Sequence, residues 1–307
     1  MKSVRQIMVR VVSLAVIASA VIAYTGTAAA QTAAHQAPAK KYAFQTITFP
    51  NDTFTRLLGI NDQQVIAGYH GDGQITHPNH GFTLTLPGNF TVENFPNSLQ
   101  TQVRAIDNHG DTGGFYQDQA GVTHGFVMSG GTFYTIDMPG TTFNQILGLN
   151  KHGQAAGYFQ DASGLDDSYI RAAQSFDAQS FFLVTPILNS QAAGVNDQGL
   201  VVGFTQPPGT GTSSGFILRG TTVTLLNYPG SAFTEALGVN NAGQVVGFYN
   251  DSAGNSHGFI YHNGSYHTVD VPGATSTTIS GINDGGTIVG YFLDQAGNTD
   301  GFVGTLK

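Results

Sequence analysis

Repetition constrains this chain more than any other feature. A phrase close to G-[ILV]-N-[DN]-x-G-x-[IV]-V-G-[FY] starts at Gly59, Ala105, Gly148, Gly194, Gly238 and Gly281, at intervals of 46, 43, 46, 44 and 43 residues. The fold must therefore use one unit six times, each copy burying its apolar face against its neighbours. A second phrase follows most copies as His80-Gly81-Phe82, His124-Gly125-Phe126 and His257-Gly258-Phe259, with Ser214-Gly215-Phe216 and Asp300-Gly301-Phe302 as variants. A third is an apolar run ending in proline, as in Tyr134 to Pro139. Helices are disfavoured, since the chain has 41 glycines and only two glutamates, Glu93 and Glu235.

Each period divides into four short β-type runs. In residues 233–272 the runs are Glu235 to Asn240, Val245 to Tyr249, Phe259 to Tyr261 and Tyr266 to Val271. The first three connections, Asn241-Ala242-Gly243, Asp251 to Gly254 and Asn263-Gly264, are of hairpin length. A longer connection after Pro272 carries the chain to a new sheet. Four-stranded units of this length in six copies predict an all-β, six-bladed β-propeller, with an open β-solenoid as the alternative. The repeat phase also predicts closure. Phe44 to Phe49 reads as a fourth strand and Gly301 to Leu306 as a third, so the N-terminal strand should complete the last blade and remove its open edge.

The N-terminus reads as an export signal. Lys2, Arg5 and Arg10 precede an apolar run, Val11 to Ala23, and Ala28 to Ala30 supply a small-residue cleavage site. Residues 1–30 are expected to be a signal peptide, 31–42 a flexible leader and 43–307 the propeller domain of a secreted protein, extracellular or periplasmic. Losing residues 1–30 leaves eight basic against nineteen acidic residues, a net charge of −11. An acidic surface excludes a phosphate-backbone binder, so no nucleic-acid partner is expected. The chain has no cysteine, which excludes disulfides, zinc–thiolate sites and thiol nucleophiles. No metal or other cofactor, no membrane span after signal cleavage and a monomeric state are expected.

The two best copies, residues 238–259 and 281–302, carry G-[IV]-N-[DN]-x-G-x-[IV]-V-G-[FY] followed by D-x-x-G-x-x-[HD]-G-F. In this pattern the chain resembles the bacterial extracellular HAF repeats over about residues 44–307. The resemblance implies secretion and a propeller; it brings no catalytic residues with it. The third copy departs most, with Asp167-Ser168-Tyr169 in place of His-Gly-Phe and extra chain within Asp161 to Ser180. The fourth replaces the Asp turn by Pro207-Pro208-Gly209.

Several recurring residues read as structural. The Asn of G-[ILV]-N should bond the turn after it. The Asp-x-x-Gly turns offer too few oxygens for calcium. The His of His-Gly-Phe should satisfy backbone groups. Positions that keep their place but vary in chemistry are the better functional candidates. Three residues before each aligned first position stand Arg56, Gln102, Gln145, Gln191, Glu235 and Thr278, and one residue earlier Thr55, Thr101, Asn144, Ser190, Thr234 and Thr277. On an innermost strand both rows would project into one channel mouth, a default ligand site. The favoured function is a binding module for a small molecule, a glycan or a surface polymer, held by the Arg56 to Thr278 ring. The alternative is a hydrolase or lyase using Glu235 as acid or base, Arg56 as charge stabiliser and a rim histidine. No H-E-x-x-H motif supports the alternative.

Overall fold

A computed structural model of the chain describes residues 41–172, 180–184 and 187–307; the expected signal peptide, nearly all of the leader and residues 173–179 of the third-copy insertion lie outside them. The described residues form six antiparallel four-stranded sheets and no helix, a six-bladed β-propeller. The innermost strands of blades 1 to 6 are Thr55–Ile60, Gln100–Ile106, Asn144–Leu149, Ser190–Val195, Thr234–Val239 and Ser276–Ile282. The sixth blade is completed by the N-terminal strand Tyr42–Ile47, antiparallel to Thr299–Leu306.

The closing strand is shifted from its expected register. Gly301 to Leu306 pairs with Ile47 to Tyr42, whereas the sequence predicted Phe44 to Phe49. Phe49 is held elsewhere: its ring stacks on His70 at 3.6 Å and its N–H donates to the Thr55 hydroxyl at 2.8 Å, so it belongs to the connection into blade 1. Tyr42, assigned to the leader, is instead a buried strand residue.

Two of the repeated phrases are halves of one contact. The glycine of V-G-[FY] on the second strand pairs with the aromatic of the third: Gly68 with Phe82, Gly114 with Phe126, Gly157 with Tyr169, Gly203 with Phe216, Gly247 with Phe259 and Gly290 with Phe302. All six aromatics are fully buried. Their rings lie where a side chain would stand: a Cβ on Gly203 would come 2.7 Å from the Phe216 ring and would also overlap the Gln191 carbonyl oxygen. Burying each ring contributes about 2–3 kcal/mol of transfer free energy.

At the axis, aligned glycines let neighbouring blades touch through their backbones. A Cβ on Gly148 would meet the Gly194 Cα at 2.8 Å, and one on Gly281 the Leu58 carbonyl oxygen at 2.8 Å. The following asparagines tie the same ring together. Each keeps its Oδ1 for its own turn, as Asn61 does for the Val65 N–H at 2.9 Å, and donates Nδ2 to the carbonyl of the next blade. Asn150 reaches Asn196, Asn196 reaches Asn240, Asn240 reaches Asn283 and Asn283 reaches Asn61 across the seam, at 2.9 to 3.1 Å. Asn61 likewise donates to Asp107 at 3.0 Å. Asp107 is the exception, since a carboxylate has no N–H to pass on to blade 3.

Two expectations follow. A mature chain beginning at Thr48 loses the buried Tyr42 and Ile47 and leaves Thr299–Leu306 unpaired along its outer edge. Its stability in urea should fall by on the order of 5 kcal/mol; an unchanged midpoint would contradict the closure. Asp107→Asn supplies the missing donor and relieves a carboxyl whose pKa is raised by burial. It should stabilise the protein at pH 7 by about 1 kcal/mol, and a loss of stability by the same assay would refute the broken-belt reading.

Candidate functional site at the channel mouth

Every innermost strand carries a β-bulge at the same place, between Leu57 and Gly59, Val103 and Ala105, Ile146 and Gly148, Ala192 and Gly194, Ala236 and Gly238, and Ile279 and Gly281. The extra residue is left out of the ladder and re-aimed. In blades 1 to 6 it is Leu58, Arg104, Leu147, Ala193, Leu237 and Ser280, and all six line one cavity of about 260 Å³. Above this ring lie Arg56, Gln191 and Glu235, together with Phe204, Phe248 and Tyr291. The polar and aromatic residues are cross-strand neighbours: Gln191 pairs with Phe204, Glu235 with Phe248, and Thr278 with Tyr291. The aromatics are the last residue of V-G-[FY], one step beyond the glycine, so strand alternation turns them away from the Phe-covered face.

Three of the six residues of the expected ring therefore share the cavity. Gln102, Gln145 and Thr278 hold the equivalent strand positions but do not line it; blades 2 and 3 reach it only through Arg104 and Leu147, and Thr278 is buried while Tyr291 opposite it reaches in. The row one residue earlier does not face the mouth at all. Thr55, Thr101, Asn144, Ser190, Thr234 and Thr277 are at most 1% exposed. Four of them accept the backbone N–H six residues upstream, Phe49 to Thr55, Phe95 to Thr101, Tyr228 to Thr234 and Val271 to Thr277, at 2.8 to 3.1 Å. The period of two that turns Arg56 to the channel turns Thr55 into the blade interface, where its hydroxyl fastens the incoming connection.

The recurring histidines also differ from expectation. His124 bridges two carboxylates, Asp137 through Nδ1 at 2.7 Å and Asp118 through Nε2 at 3.4 Å, and His257 does the same with Asp270 and Asp251 at 2.8 and 3.4 Å. Backbone satisfaction falls to the aspartates: Gly125 N–H donates to Asp137 and Gly258 N–H to Asp270. No histidine lines the cavity, so the rim-histidine role falls away. The Asp-x-x-Gly carboxylates are occupied by their own turns, Asp118 accepting from Ala120 and Val122 and Asp251 from Ala253 and Asn255, each at 2.8 or 2.9 Å.

The opposite mouth is tied up by its own hydrogen bonds. Asp62 pairs with Asn108, Lys151 with Asp197, Asp197 with Asn241 and Asn241 with Asp284, and the Asp284 N–H donates back to Asp62. The cavity mouth is different. The Arg56 guanidinium lies 4.2 Å from the centre of the Tyr291 ring and 5.0 Å from that of Phe54, its Nε is buried without a hydrogen-bond partner, and the buried Ser280 Oγ has none either. Burial raises the pKa of Tyr69, against the charges of Arg56 and Arg104, which both act on it. Glu235 is 8% exposed. Burial pushes its pKa up to about 7, even though Gln206 Nε2 donates to Oε1 at 2.8 Å and Ser213 also favours the charged form.

No family model matches the chain, and no curated protein does. Solved structures match its fold. One is a substituted form of AofleA from Arthrobotrys oligospora, 10% identical, covering 89% of this chain and 90% of that one with a TM-score of 0.54. Another is a protein of unknown function from Dyadobacter fermentans, 11% identical, covering 88% and 100% with a TM-score of 0.54. A third is a gluconolactonase from Xanthomonas campestris, 13% identical, covering 90% and 99% with a TM-score of 0.51. At these identities the likeness is one of fold. No helix among the described residues is long and apolar enough to cross a membrane.

The raised pKa of Glu235 has a consequence for stability. Between its ordinary value of 4.5 and its folded value of about 7, the native state keeps a proton that the unfolded chain releases, so stability falls as pH rises through that window. The cost at pH 8 is on the order of 3 kcal/mol. Glu235→Gln should match the parent at pH 4.5 and exceed it at pH 8 in thermal melts; parallel pH profiles for the two would show that Glu235 is not held protonated.

Proposed function

We propose that the protein is a secreted ligand-binding propeller, and that Arg56, Gln191 and Glu235 hold a small hydroxylated ligand, such as a sugar or the end of a surface glycan, at the channel mouth. The observation that carries this reading is the meeting of those three residues, from blades 1, 4 and 5, in one cavity with Phe204, Phe248 and Tyr291. Aromatic faces take the apolar faces of a sugar ring, while amide and carboxyl groups exchange hydrogen bonds with its hydroxyls. The cavity volume is below the range usual for drug-sized ligands and suits one sugar unit. Resemblance to the HAF repeats and the N-terminal sequence support secretion.

A second reading rests on Glu235, whose pKa of about 7 suits a general acid or base at neutral pH. Hydrolysis of a glycoside by two carboxyl groups fits poorly, because Glu235 is the one Asp or Glu lining the cavity. A lyase or isomerase step needing one proton-transfer group remains compatible with the cavity.

Residues 31–307 should bind members of a glycan array and show saturable heat in calorimetry. Arg56→Ala should weaken binding at least tenfold while shifting the melting temperature by only a few degrees, because the guanidinium has no ion-pair partner to lose. Undiminished binding by Arg56→Ala would remove the site from the mouth. Turnover of the bound sugar, lost in Glu235→Gln, would favour the second reading.

A further inference from the structure

The charges at the mouth restrict the ligand further. Between Tyr42 and Leu306 the chain has five Lys or Arg residues, Arg56, Arg104, Lys151, Arg171 and Arg219. Two of the five line this one cavity, in a protein whose overall charge is strongly negative. Lys151 has a carboxylate at 3.1 Å in Asp197, but among the described residues neither Arg56 nor Arg104 has a carboxylate partner. Arg56 comes from the innermost strand of blade 1 and Arg104 from that of the adjoining blade 2. Ser280, from blade 6 on the other flank of blade 1, adds a buried hydroxyl with no hydrogen-bond partner, and Arg56, whose Nε is also unpartnered, belongs to the same lining. The other side carries Gln191 and Glu235, from blades 4 and 5.

Resting on the binding reading above, we infer that the ligand is a sugar acid: a polyol of one sugar unit bearing one carboxylate, which Arg56, Arg104 and Ser280 bind while its hydroxyls face Gln191 and Glu235. Arg56 and Arg104 are half-buried, and a cation partly withdrawn from water gains from a counter-charge that restores its lost hydration. Among the described residues Arg56 has aromatic faces, but neither arginine has a carboxylate partner, so the counter-charge is left for the ligand. A guanidinium fork matches a carboxylate in geometry as well as charge. Glu235 adds selection at the other end: carrying at most one negative charge, and that one partly neutralised near pH 7, it accepts hydroxyl donors and disfavours a second acidic group.

Calorimetry on residues 31–307 with D-glucuronate, D-gluconate, glucuronate methyl ester, D-glucose and inorganic phosphate tests this. At least one of the two acids should bind, and glucuronate at least tenfold more tightly than its uncharged ester or glucose. That preference should shrink towards unity in Arg104→Gln, with Ser280→Ala causing a smaller loss. Melting curves for both variants, and a less disruptive Arg104→Lys, separate lost recognition from lost folding. Equal binding of acid, ester and glucose would overturn the inference and leave the sugar-binding reading standing. Binding of phosphate as tight as that of the sugar acids would show an anion site with no role for the hydroxyls and would also overturn it. If no sugar of either kind binds here or on the array, both readings fall.

Discussion

The contact on which the rest depends is an aromatic ring lying on a glycine, made once in each blade. With Phe216 over Gly203, or Phe302 over Gly290, the second and third strands are locked in register, because a one-residue slip would place the ring against a side chain. Alternation then fixes the next residue. Phe204 follows Gly203 and Tyr291 follows Gly290, and both are turned to the opposite face, where they meet the channel mouth. The aromatic wall of the candidate site is thus a geometric consequence of core packing, and a ligand site could have arisen there without new backbone.

The two ends of the channel use the same strands in opposite ways. At one end the Asn belt and the Asp–Asn pairs above it satisfy nearly every polar group, with the glycine hoop bringing the backbones close enough for side chains to span from blade to blade. At the other, the repeated bulge swings one residue per blade out of the ladder, and nothing in that row is required to match its neighbour. Leu, Arg, Leu, Ala, Leu and Ser all serve. Rigidity at the belt and freedom at the bulge divide structural from functional positions, and a rigid rim keeps the cost of ordering a bound ligand low.

Most of the architecture was legible in the sequence because the contacts that build it demand particular residue types. Glycine where a ring must lie, asparagine where one side chain must both accept and donate, and proline after the outer strand recur visibly, so blade number and strand number could be counted. Arg56, Gln191 and Glu235 were found by the converse signal, a fixed position with varied chemistry. The bulge row escaped notice because a bulge of this kind is made by the backbone and places no demand on its side chain, so Arg104 and Ser280 look like ordinary strand residues. The Thr55 row was misassigned because a small polar residue on an inner strand reads alike whether it faces water or a buried backbone N–H. The aromatics of V-G-[FY] stood in all six copies of the phrase, and only the pairing geometry separates their role from that of the Phe in His-Gly-Phe.

Electrostatics adds a constraint that packing does not. A chain with so few cations could place Arg56 and Arg104 on its surface beside some of its many aspartates, where each would gain a modest ion pair at little desolvation cost. It places both, half-buried, in the lining of one cavity whose single acid is pushed towards its neutral form by burial. Such an arrangement adds little to stability: the Arg56 guanidinium, facing aromatic rings, recovers only part of its lost hydration. At the opposite mouth, by contrast, the exposed Lys151 is paired with Asp197 at 3.1 Å. A cost tolerated at one mouth and avoided at the other, within the same repeat, marks the first as the place where something other than stability decides which residue is kept.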